Sequence, residues 1–150
     1  DKKAFMLLND IRQFPTKYAR ELNRYPSLKI KQSILQWNPI LAKVAEEKAL
    51  DMAKRNYFNH VNPDGIGINY LIHQAGYDLE TEWLTPKSNN FFESLGAGFE
   101  SGEIGIKGLI LDENVPSLGH RNHLLGIGIS NEQLVDMSID FVHTEDTYYQ

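Results

Sequence analysis

The chain contains no cysteine, which removes disulfides, zinc–thiolate centres and thiol nucleophiles together. It does not fix the compartment, because a chain of 150 residues buries roughly 70% of the surface its unfolded form exposes and can fold without staples. No apolar run approaches the roughly 20 residues that a membrane helix needs, so no segment reads as a transmembrane span. Positive charge is also scarce: 15 Lys and Arg against 20 Asp and Glu give a net charge of −5. An acidic chain repels a phosphate backbone unless a basic patch offsets it. The densest basic stretch, Lys17, Arg20, Arg24, Lys29 and Lys31, is interrupted by Glu21 and Tyr25 and reads as a solvated helix face. Nucleic acid is therefore not an expected partner.

Several catalytic signatures are missing as well. There is no GxGxxG or Walker phosphate loop and no HExxH. Ser94 sits in Phe-Glu-Ser-Leu-Gly, without the first glycine of a nucleophile elbow. Ser117 is read as capping the turn before His120. Asn62-Pro63-Asp64-Gly65 fails the ligand spacing of a calcium loop and is read as a turn. His73 reads as a helix-surface residue and His143 as a strand-end residue.

What is present is helical first and extended last. Phe5, Leu8, Ile11 and Arg12 recur at helical spacing over Ala4 to Phe14, and Pro15 opens a second segment through Tyr25, closed by Pro26. The strongest helix follows. Asn38 can cap it, Pro39 suits its first position, and Leu41, Ala45, Ala49 and Met52 form an apolar stripe. It runs to about Tyr57, where residues 59–65 break it with turn chemistry. Gly67 to Ala75 predicts a shorter helix ended by Gly76. Phe91 to Phe99 predicts a strand. Gly102, Gly105 and Gly108 punctuate a further helix and mark close packing. Val135, Met137, Ile139 and Phe141 alternate with polar residues, a half-buried strand. With no βαβ rhythm, no repeat and no linker, the sequence predicts a single α+β domain over residues 1–150.

Three phrases, in order, resemble the CAP superfamily (cysteine-rich secretory protein, antigen 5 and pathogenesis-related 1) in its cysteine-free bacterial form. The first is Trp37-Asn38-Pro39 through Asp51-Met52-Ala53 to Tyr57-Phe58-Asn59-His60, completed by Pro63-Asp64-Gly65. The second is Phe92-Glu93-Ser94-Leu95-Gly96, in the place of the family's "GEN" phrase. The third is Gly119-His120-Arg121-Asn122-His123-Leu124-Leu125, similar to "GHRxNIL". The chain departs from the pattern in three places: of "GEN" only the Glu is kept, between Phe92 and Ser94; His123 stands where bacterial members usually have Asn; and the helix ahead of the GH phrase has no Trp.

The resemblance implies an α–β–α sandwich with a central antiparallel sheet. It also implies a cleft lined by His60, Glu93, His120 and a second acid, for which Glu113 is taken and Asp112 is the alternative. Two imidazoles with carboxylates could hold a divalent cation, zinc or calcium, with His60 and His120 as ligands. The same groups could instead hydrogen-bond one another. Two functions follow from the resemblance. One is a non-catalytic binding module for a small molecule, a lipid or a host protein. The other is a metal-dependent hydrolase acting on peptide bonds, with Glu93 or Glu113 as base. It further implies an exported chain, either secreted or held at the bacterial surface by a lipid anchor upstream of Asp1.

Overall fold

A computed structural model describes residues 1–22, 33–144 and, for the backbone, 148–149. The expected helix end at Tyr25 and Pro26, and the basic residues Arg24, Lys29 and Lys31, lie outside these.

Helix α1 (Lys2–Gln13) buries Ala4, Leu8, Ile11 and Arg12 on one face, and α2 (Pro15–Tyr18) adds a single turn. Helix α3 (Pro39–Arg55) begins where the sequence places it: Asn38 Oδ1 accepts from the amides of Ile40 at 2.9 Å and Leu41 at 3.2 Å, with Pro39 in the first turn. It ends at Asn56, whose left-handed backbone (φ 51°) turns the chain out of the helix. Helix α4 (Ile68–Gln74) starts at Gly67, where any side chain would collide with the carbonyls of Ser88 and Asn89. Helices α5 (Gly102–Leu111) and α6 (Gly119–Leu125) complete the helical set. Gly108 faces the Phe99 ring and Gly102 faces Asp1 and Ala4, so these two glycines mark close approach.

The main core joins α1, α5 and α6 through Leu8, Ile11, Ile106, Ile110, Leu124 and Leu125. Burying each such side chain contributes about 1.5–3 kcal/mol. A second cluster sets Val44 of α3 against Ile68 and Ile72 of α4, and Met52, fully buried, packs on Leu95. The α3 stripe thus meets α4 and the segment 92–95.

The strands differ from expectation. Strand β1 (Gln36–Trp37) pairs with β2 (Asp136–Met137) in parallel, Gln36 opposite Asp136 and Trp37 opposite Met137. The expected antiparallel central sheet is therefore corrected to a short parallel pair. Alternation of apolar and polar residues reports exposure on two faces and carries no information about the direction of a partner. A separate pair, β3 (Val142–His143) with β4 (Tyr148–Tyr149), is antiparallel. Phe91 to Phe99 forms no strand. Gly98 takes φ +79° within it, and its entry is held by a side chain, the Phe91 amide donating to Asn69 Oδ1 at 3.0 Å. Among the described residues the fold is α+β, with helices dominant.

Candidate functional site

Three segments bring titratable side chains together. The first follows α3. Arg55 clamps Asp51 through two bonds of 2.8 Å and reaches Asp64 at 2.8 Å, while Asn62 Oδ1 accepts from the amides of Asp64 and Ile66. Tyr57 donates to Asp51 at 2.6 Å, and burial together with that carboxylate pushes its phenol pKa upward. These contacts fix the turn that carries His60.

Beneath the turn lies Lys48, 4% exposed. Its ammonium donates to the carbonyls of Asn59 and His60 at 2.9 and 3.0 Å. Burial lowers its pKa, and the carboxylates of Glu93 and Asp51 oppose that shift.

The His60 ring meets the second segment: Nδ1 lies 2.7 Å from Glu93 Oε2, with the carboxylate side chain only 9% exposed. The third segment repeats the arrangement. His120 Nδ1 lies 2.8 Å from Asp112 Oδ1, while Asp112 Oδ2 accepts from the amides of His120 at 3.0 Å and Arg121 at 3.3 Å. Asp112 therefore anchors the first turn of α6 as well as its histidine. Arg121, buried, returns the favour by donating to the carbonyls of Ile110 and Leu111 at the end of α5. In each pair a carboxylate accepts, so Nδ1 carries the proton.

Glu113 stands apart. It is exposed and bonds neither histidine, so the acid beside His120 is Asp112, one residue earlier. Asp112 takes a left-handed conformation (φ 51°) at the end of α5, and this turn directs consecutive side chains differently.

His123, on the same short helix as His120, takes a different partner. Its Nδ1 lies 2.7 Å from Ser94 Oγ, and its pKa falls to about 4, first through burial and then through the charges of His120 and His60. The three imidazoles thus share one neighbourhood. Sequence reasoning passed over Ser94, His123 and Lys48 as site residues. The signal that was available is that Ser94 and His123 are among the departures from the family phrases, and they touch.

Among the described residues, no group of three or more His, Asp or Glu side chains is placed to hold a metal ion. Each carboxylate is committed to an imidazole Nδ1, which leaves His60 and His120 short of the third protein ligand that a zinc site takes. Two imidazoles alone fall short of a zinc ligand set.

A cavity of about 640 Å³ reaches Lys48, Glu93, Ser94 and His123, while His60, Asp112 and His120 are not part of its lining. Leu41, Val44, Met52, Ile72, Phe92 and Leu95 supply apolar wall, and Lys48, Glu93, Ser94 and His123 supply polar wall. Asp136 in its lining accepts from Tyr77 Oη at 2.8 Å, and burial pushes that phenol up to about 12.

Comparison with known proteins gives one match. The family model described as "CAP: Cysteine-rich secretory protein family" covers residues 6–129. No curated protein and no solved structure matches the chain.

Proposed function

Because the chain belongs to the cysteine-rich secretory protein (CAP) family, we propose that it is an exported, non-catalytic recognition module that holds a small apolar ligand in the cavity lined by Glu93, Ser94 and His123. The observation that carries this reading is the cavity itself. Its volume, about 640 Å³, falls in the range of roughly 300–1,000 Å³ typical of ligand pockets, and its wall is mostly apolar with a few convergent polar groups. Residues of α1, α3, α5 and β2 (Leu8, Val44, Leu109 and Met137) line it together, which supports the layered α–β–α arrangement of the family. No helix among the described residues is long and apolar enough to cross a membrane. Export, by secretion or through a lipid anchor at the bacterial surface, is part of the proposal through the family.

The test is saturable binding of Nile red to the full chain. Val44→Trp, which places an indole in the cavity, should abolish it while leaving the helical circular dichroism intact. Binding that survives this substitution would sink the reading.

The competing reading, a metal-dependent hydrolase, requires a ligand set that the described residues do not offer. It would be restored by zinc-induced stabilisation of the protein that disappears in the double variant His60→Ala, His120→Ala.

A further inference from the structure

We propose that Ser94 and His123 form a specificity site for the polar end of the cavity's ligand, and that this end is an uncharged hydrogen-bonding group, a hydroxyl above all, on an apolar body. The inference rests on the reading of the cavity as a ligand site.

The first support is placement. Ser94 and His123 come from segments 29 residues apart and meet at 2.7 Å. Both line the cavity beside Val44, Met52 and Leu124, so the pair is a polar spot in an apolar wall. The second is unused capacity. The bond occupies one ring nitrogen, and His123 Nε2 has no protein partner among the described residues. A hydroxyl both donates and accepts, so it can complete either tautomer of the ring. A purely apolar ligand would leave the nitrogen unmet in a dry site, which costs free energy.

Charge narrows the class of head group that suits the pair. The lining carries four carboxylates, Asp78, Glu93, Asp136 and Asp140, and two cations, Arg12 and Lys48. Both cations are engaged by backbone carbonyls, Arg12 at Leu124 and Lys48 at Asn59 and His60. An anionic head therefore enters a net negative field. A cationic head gains from that field but meets no charge at Ser94 or His123, and Glu93, next to Ser94 in the chain, is already bonded to His60. His123 itself stays neutral through the physiological range, because burial and the two neighbouring histidines disfavour its charged form. It attracts neither sign. Finally, two of the positions at which the chain departs from its family's phrases, Ser94 and His123, are joined in this one hydrogen bond.

The experiment displaces Nile red from the full chain at pH 7.5 with 1-dodecanol, dodecanoate and dodecylamine. 1-Dodecanol should displace the dye at a concentration at least tenfold below that of either charged amphiphile. Ser94→Ala and His123→Phe should each reduce that preference to less than threefold. Should His123→Phe fail to fold, Ser94→Ala decides alone, since it removes one oxygen and little else. A charged amphiphile that equals or beats 1-dodecanol overturns the inference, as does full selectivity retained in Ser94→Ala. In either case dye binding that Val44→Trp blocks leaves the cavity reading standing, whereas failure of Nile red to bind removes both.

Discussion

Lys48, in the middle of α3, donates to the carbonyl of His60 at 3.0 Å, so the helix grips the backbone of the very histidine that follows it. The same ammonium holds Asn59 at 2.9 Å. A lysine twelve residues before its target thus sets the height of the His60 ring over Glu93.

Replacing it with methionine keeps the stem and deletes both bonds. Hydrogen bonds to charged groups contribute about 1.5–3 kcal/mol each, less what relaxation recovers. Lys48→Met should lower stability by about 2–3 kcal/mol, read as a shift in urea midpoint at unchanged slope. Ring-nitrogen NMR should also show His60 losing its single Nδ1–H tautomer while His120 keeps its own. An unchanged His60 spectrum would count against the grip.

Asp112 and Glu113 provide a neighbouring pair with opposite expectations. Asp112 is buried and accepts from His120 twice and from Arg121 once; Glu113 is exposed. Asp112→Ala should cost about 2–4 kcal/mol by leaving buried donors unmet, while Glu113→Gln should stay within about 0.5 kcal/mol of the parent. Thermal melts of the two variants side by side would reverse the assignment if Glu113→Gln proved the more damaging.

His123 predicts a pH dependence whose sign can be worked out. Its folded pKa is about 4, against about 6.5 when unfolded. Between those values the unfolded chain binds the extra proton, so stability rises with pH across that window. The contribution is complete above about pH 6.5 and is lost as pH falls toward 4, amounting to about 2–3 kcal/mol. His123→Gln should flatten this part of the stability curve. Parallel curves for parent and variant between pH 4 and 6.5 would contradict it.

Asn38 is a simpler case. It caps α3 through Ile40 and Leu41 and reaches Asp136 at 3.4 Å. Asn38→Ala should therefore destabilise the protein by about 1 kcal/mol, and Asn38→Ser should recover most of that in the same denaturant titration.

These residues also show how far the sequence could be read. Asn38, Pro39 and the Met52 stripe were legible because capping and helical periodicity act within a few residues. So were His60, Glu93 and His120, through the phrases they sit in. Asp112 was not separable from Glu113, because a left-handed backbone at one residue decides which carboxylate turns inward. The β1–β2 pairing was invisible: Gln36-Trp37 is two residues long, and nothing local announces a parallel partner. Ser94 and His123 were each visible as oddities, but only the fold makes them one contact.

The bond from Asn38 to Asp136 joins residues 98 apart, and the β1–β2 pairing closes the same span. His60, Glu93, Asp112, His120 and His123 all lie inside that ring of chain. A single cut in the exposed turn at Asp64–Gly65 would consequently release nothing. Each half keeps one of the two clasped strands, and the severed protein should travel as one particle until a denaturant opens the clasp. The turn is thus the natural seam along which the domain could be made from two separately synthesised halves.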